Sequence, residues 1–185
     1  MRKYTDRISD ETGLNWSCYA TPAEGLSGKF IKNDQKVFGV IKGVTDKEYY
    51  TNSYHVPVYC PISITKKIDI EAPYHKLCNG GHISYIEVDD TPSGETIMKI
   101  LKYAYEKTNI SYLGINFHIR YCKDCGEYLY NNEDSCPKCS SKDIQGISRV
   151  TGYLSLDERF GPGKYGERKD RVSHTPAHKN SYKNV

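Results

Sequence analysis

An α/β fold, with a small cysteine knuckle set into its last third, is what this sequence predicts. Three observations carry that expectation. Apart from the adjacent Tyr85 and Ile86, the run His82 to Val88 alternates between apolar and polar residues, so it reads as a half-buried strand. A helical pattern from about Glu95 to Lys107 and a second strand from Ile110 to Ile119 follow it, completing one strand–helix–strand unit. Cys122-Lys-Asp-Cys125 and Cys136-Pro-Lys-Cys139 are two Cys-x-x-Cys pairs separated by ten residues, the pattern of a four-thiolate site.

The remaining elements are read in chain order. Arg2 to Glu11 forms the last turns of a helix that starts without a cap, with Gly13 as its C-cap residue. Such a start is what a truncated chain would show. Asn15 to Ala20 reads as a short strand. Thr21 is placed as an N-cap with Pro22 at the first helical position, opening a helix to about Phe30. Val37 to Ile41 is a short apolar run, Gly43 to Tyr50 a turn, and Tyr54 to Val58 a strand that Pro57 confines to an edge. Ile62 to Glu71 is mixed, and Asn79-Gly-Gly81 is a turn. Within the Glu95–Lys107 helix, Ile97, Ile100, Leu101, Ala104 and Tyr105 form the apolar stripe.

Composition narrows the function classes. The chain has 185 residues, enough for one domain with a real core. Only 37% are hydrophobic, and tyrosines number 17 against 4 phenylalanines, which suits half-buried surfaces and interfaces. A net charge of +3 is too mild to argue for nucleic acid. Basic residues gather after Gly163, at Lys164, Arg168, Lys169, Arg171, Lys179 and Lys183, but Glu167 and Asp170 are interleaved, so a solvated tail is expected. No apolar run approaches the ~20 residues of a membrane span. The first residues lack a signal peptide's apolar stretch, so a cytoplasmic location is expected. In that reducing compartment seven cysteines argue for metal or redox chemistry rather than disulfides.

Each Cys-x-x-Cys pair places two sulfurs on one tight turn, with Gly126 after the first and Pro137 stiffening the second. Spacing and a closed ligand count favour structural Zn²⁺ held by Cys122, Cys125, Cys136 and Cys139, with Glu127 to Ser135 as the short hairpin of a zinc ribbon. Iron and a redox-active dithiol pair are the competing occupants. Four protein ligands leave no open position, so the site would fold the ribbon rather than react.

Gly152 stands thirteen residues beyond the last cysteine, within Arg149-Val-Thr-Gly152-Tyr153, and the glycine-rich Phe160-Gly-Pro-Gly-Lys164 follows. This segment resembles the glycyl radical loop of anaerobic (class III) ribonucleoside-triphosphate reductases, in which a zinc site precedes the loop. Further segments are similar to the C-terminal part of that family: Tyr19-Ala-Thr-Pro-Ala-Glu-Gly-Leu-Ser27, Gly43 to Ser53, Gly80-Gly-His-Ile83 and Tyr112-Leu-Gly-Ile-Asn116. Together they span roughly residues 1 to 175.

The resemblance implies a C-terminal part of a ten-stranded β/α barrel over residues 1–119, a zinc ribbon over 120–147, and a glycyl radical loop with a C-terminal tail, mobile from about Gly161, over 148–185. It implies that Gly152 stores the radical once an iron–sulfur, S-adenosylmethionine-dependent activase removes a hydrogen. It implies reduction of ribonucleoside triphosphates, with an upstream reductase portion or a homodimer partner supplying what this chain lacks. The family's thiyl cysteine lies upstream of the segments matched here, and Cys18, Cys60 and Cys78 sit in none that matches its loop. Each is read as a buried or incidental cysteine. His55 and His82 are read as packed core histidines ahead of proton-transfer groups. Thr21 to Glu24 and Asn52-Ser53 are candidates to border the nucleotide pocket, although capping explains Thr21 as well. Asp89 and Asp90 would point apart on a strand and make no acid–base couple. A stand-alone spare-part radical protein and a zinc-ribbon binding module are the rival readings.

Overall fold

The structure, a computed structural model, describes all residues except Thr21, Pro22, Asp90, Asn131, Asn132, Thr151 and 176–185. Helix α1 (Arg2–Thr12) ends as expected: Gly13 adopts the left-handed conformation at φ 68°, and its N–H reaches Ser9 O. The strand expected at 15–20 is reduced to a single parallel bridge between Tyr19 and Gly81. Its partner is the 79–81 turn, which offers too few backbone groups for a ladder. The Thr21 cap lies outside the described residues. The helix expected through Phe30 is instead a 3-10 turn, Glu24–Leu26, followed by α2 (Ile31–Phe38). Gly28 lies between them because a side chain there would meet Gly163 Cα at 2.8 Å, so this stretch passes backbone to backbone over the C-terminal helix.

The Tyr54–Val58 strand does not form. The Val56 N–H donates instead to the Glu71 carboxylate at 2.8 Å, a side-chain acceptor in place of a neighbouring strand. Glu71 belongs to α3 (Ile64–Leu77), capped by Ser63, whose hydroxyl accepts from the Lys66 N–H. Its buried face carries Lys67, Ile68, Glu71, Ala72 and His75. Three of those five are polar, and Pro73 sits inside the helix, so the apolar period is blurred.

The strand–helix–strand unit is present. Strands β1 (Ser84–Glu87) and β2 (Leu113–Asn116) pair in parallel, with α4 (Gly94–Lys107) between them in sequence. Ile86, Val88, Ile68, Ile100 and Ala104 form the buried core. The expectation of a half-buried β1 fails, because all four of its residues are buried. Alternation still holds: Ser84 and Ile86 face α3 and the apolar core, while Tyr85 and Glu87 line a polar cavity on the other side.

A second sheet is antiparallel, in the order β4 (Tyr128–Leu129), β3 (Ile119–Cys122), β5 (Ile144–Arg149), β6 (Leu154–Leu156). The solvated, mobile tail is corrected over its described part. Residues Pro162–Asp170 form α5, and Lys164, Glu167, Arg168, Arg171 and His174 are all buried. Paired charges explain the burial: Lys164 and Arg171 both bond Glu167, at 2.6 and 3.0 Å, and Arg168 pairs with Asp157 at 2.6 Å. No helix among the described residues is long and apolar enough to cross a membrane.

Candidate active site and metal centre

Two knuckles built on one plan hold the cysteines. In the first, Cys122 N–H donates to Glu127 O and Gly126 N–H to Cys122 O. In the second, Cys136 N–H donates to Ser141 O and Ser140 N–H to Cys136 O. The turn needs a left-handed residue at each equivalent place, met by Gly126 at φ 76° and Ser140 at φ 60°. The four sulfurs lie within 4.8 Å of one another, with Cys122 and Cys139 3.6 Å apart and Cys125 and Cys136 3.5 Å apart. A tetrahedron of thiolates at ~2.3 Å from a metal has edges of ~3.8 Å, so the set fits such a cation. Backbone N–H groups of Cys125 and Asp124 draw the Cys122 thiol down to about 7. The Ser141 N–H pulls Cys139 the same way, yet the other three sulfurs push it up to about 12. Full ionisation of the set therefore calls for a positive charge at its centre.

Gly152 lies at the tip of the β5–β6 hairpin, closed by the Val150 N–H donating to Tyr153 O at 2.8 Å. It is exposed. Its φ lies outside the left-handed range, and a side chain there would meet only Glu24 Oε1, at 3.8 Å, among the described residues. Among the described residues, neither turn geometry nor crowding accounts for glycine at this position.

Gly152 borders a cavity of about 300 Å³ together with Tyr19, Ser53, His55, His82, Tyr85 and Tyr112. Glu24 and Ser53, both expected near a nucleotide pocket, have left-handed backbones at φ 49° and 53°. Such conformations are strained for side-chain-bearing residues and gather at functional sites. Asn52 ties the region together: its amide oxygen accepts from the Ala23 N–H at 2.7 Å and its amide nitrogen donates to Glu167 at 3.3 Å.

His55 and His82 stack at 5.2 Å between ring centroids, with His75 edge-on to His82 at 4.6 Å. The packed-histidine reading therefore holds, but these rings also line the cavity. Burial and the neighbouring His55 push His82 down to about 4. Burial raises Glu71, yet the His55 ring and the Lys67 ammonium outweigh it and hold the carboxyl at about 2. Cys18 and Cys78 are buried, and Cys60 is half-buried.

Under the hairpin's base is a polar group that sequence reasoning missed. Arg149 Nη2 donates to Glu87 Oε1 at 2.6 Å, and its guanidinium lies 3.8 Å over the Tyr85 ring. Burial opposes the Glu87 charge, but Arg149 and Arg171 hold its carboxyl at about 2. The one available signal was Glu87 itself, an acid inside a strand pattern.

A family model described as anaerobic ribonucleoside-triphosphate reductase matches residues 1–174. The anaerobic ribonucleoside-triphosphate reductases of Salmonella typhimurium and Escherichia coli are 41% and 40% identical to this chain over 184 residues. Each alignment covers 94% of this chain and 26% of the relative. That of enterobacteria phage T4 is 36% identical over 183 residues, covering 94% of this chain and 30% of the relative. The chain thus spans about a quarter of the length of the curated relatives it matches. A solved anaerobic ribonucleotide reductase superposes at a TM-score of 0.77 with 22% identity, covering 93% of this chain and 27% of its own. The Thermotoga maritima enzyme in complex with dATP and CTP does so at 0.72 with 22% identity, covering 90% and 26%.

Proposed function

The chain belongs to the anaerobic ribonucleoside-triphosphate reductase family, and from that premise we propose that it is the radical-bearing part of such a reductase. Gly152 stores an unpaired electron on Cα, Zn²⁺ sits among Cys122, Cys125, Cys136 and Cys139, and the cavity beside Gly152 belongs to the reaction chamber. The observation that carries this reading is a glycine at a hairpin tip, facing a cavity, where neither backbone angle nor packing calls for one. Loss of a hydrogen from its Cα gives a planar centre delocalised over the flanking amides. A side chain would strain that planarity, and glycine has none. An S-adenosylmethionine-dependent activase would remove the hydrogen. The thiyl cysteine that attacks the ribonucleotide is assigned to the rest of the reductase, because no cysteine of this chain borders the cavity among the described residues.

The reading divides the chain into a partial barrel (1–119), a zinc ribbon (120–147) and a radical loop with its C-terminal segment (148–185), although the last boundary falls within β5. Parallel β1 and β2, connected through α4, suit a slice of a β/α barrel. The two knuckles on an antiparallel sheet suit a ribbon. Four closed thiolate ligands would make the metal a structural clamp with no position for substrate. The cavity-lining groups act by orienting and shielding. Tyr19, His55 and Tyr112 wall the space, and His82, held uncharged at neutral pH by burial, offers a ring nitrogen without bringing a competing charge.

The test is anaerobic activation of the assembled reductase with activase, reductant and S-adenosylmethionine, followed by electron paramagnetic resonance. A doublet-type glycyl signal that vanishes in Gly152→Ala is expected. Its absence from a competent complex, or its persistence in the variant, refutes the assignment.

A further inference from the structure

The tip of the β5–β6 hairpin is lightly held and its base is firmly held. Gly152 is exposed and, among the described residues, has a single atom near its missing side chain, Glu24 Oε1 at 3.8 Å. Three residues earlier, Arg149 is gripped from three directions. Its guanidinium donates to Glu87 at 2.6 Å and lies over Tyr85 at 3.8 Å, and its carbonyl accepts from Arg171 Nη2 at 2.7 Å. Glu87 is itself immobilised. Its N–H donates to His174 Nδ1 at 2.9 Å, the His174 N–H donates back to its carbonyl at 2.9 Å, and the Asn116 amide donates to its carboxylate. Tyr85 can lie flat under the guanidinium because Gly114 has no side chain, which would otherwise stand 2.8 Å from the Tyr85 ring. The position of the radical carbon is therefore set from the base of the hairpin, not from its tip.

We infer that Glu87 is a positioning residue: acting through Arg149, it latches the Gly152 hairpin against the cavity and so governs how efficiently a radical stored there reaches the reacting partner. This rests on the reading of Gly152 given above. A latch of this kind suits a loop with two duties. It must hold the tip inward for radical transfer, yet release it when an activase needs the same carbon. A single buried ion pair fulfils both, since breaking one partner leaves the other charge stranded and drives the base apart. Apolar packing of the tip would resist release at every step.

The experiment compares wild type, Glu87→Gln and the double variant Glu87→Gln/Arg149→Gln in the assembled, anaerobically purified reductase. Three quantities are read: deuterium uptake of residues 149–156, the glycyl signal after activation, and nucleotide turnover per glycyl radical. In Glu87→Gln, uptake at 149–156 rises about 10-fold while residues 119–144 stay protected. The glycyl signal forms at least as fast as in wild type. Turnover per radical falls roughly 10-fold with KM for nucleotide unchanged, since only the transfer geometry is lost. The double variant carries no stranded charge, so it recovers thermal stability but not turnover per radical. Recovery of both would reduce the pair to a structural prop and overturn the latch. Unchanged uptake and unchanged turnover per radical in Glu87→Gln overturn it too. If wild type gives no glycyl signal, the radical assignment fails, and the deuterium comparison still decides whether Glu87 holds the hairpin.

Discussion

A methyl group at position 152 would begin 3.8 Å from the Glu24 carboxylate, an ordinary contact, and the local φ is open to any residue. Gly152→Ala is therefore expected to fold normally, changing stability by less than about 1 kcal/mol. It should nonetheless give no glycyl signal. Thermal melting and paramagnetic resonance on the same sample check this, and a variant that fails to fold would contradict the structural half. Gly28, by contrast, is a spatial necessity: alanine there would meet the Glu48 carbonyl at 2.5 Å, so Gly28→Ala should melt earlier and loosen α5. Size thus requires glycine at position 28, whereas among the described residues it does not require one at position 152.

At the scale of elements, both knuckles share one hydrogen-bond plan, so both should fail together. Cys136→Ser removes one of four ligands, and zinc content measured by atomic absorption should drop from about one per chain to well below it. The β3–β5 ladder, which pairs Cys122 with Ile144, should lose its exchange protection at the same time. Retained zinc or a retained ladder would contradict the clamp. The cysteine cluster was legible in the sequence because two short, fixed spacings bring its four sulfurs together. So were α1, α4 and β1, whose periods are set by one face or one cap. Helix α3 was not, because its inward face carries Lys67, Glu71 and His75, polar residues satisfied by one another and by more distant partners, Val56 for Glu71 and Ser84 for His75. The burial of α5 was missed for the same reason. Charges on a sequence look solvated until the opposing charge is brought near, as Glu167 is to Lys164 and Arg171. The strand read at Tyr54–Val58 erred the other way: its local pattern fits, but no strand among the described residues pairs with it.

For the whole molecule, acid should be the weakness. Burial holds His82 and His174 at about 4, and lowers His75, so these rings fold uncharged. The unfolded chain takes up their protons first, so the stability they permit is complete above the ordinary histidine value of 6.5 and is lost as pH falls toward 4. Glu71 and Glu87, held at about 2, add stability that is complete above 4.5 and fades as pH falls toward 2. Both groups act in the same direction. Denaturant midpoints at neutral, mildly acid and strongly acid pH should fall in sequence, and a rise on acidification would contradict the network. A second weakness is apolar: Leu14, Trp16, Phe30, Phe38 and Val40 are all exposed. The 185-residue chain by itself should bind hydrophobic dyes and self-associate, more weakly once the rest of a reductase covers that surface. Light scattering with and without that portion checks it.

The hairpin has one more consequence. Strand β5 stays paired to β3 and to β6, while Arg171 reaches back to the Arg149 carbonyl and His174 clips onto Glu87. If Gly152 carries the radical proposed above, oxygen should cut the main chain there, severing a covalent link that many weaker ties still bridge. The two pieces should therefore migrate together on a native gel and part only in detergent, so that an inactivated molecule passes for a sound one until it is denatured.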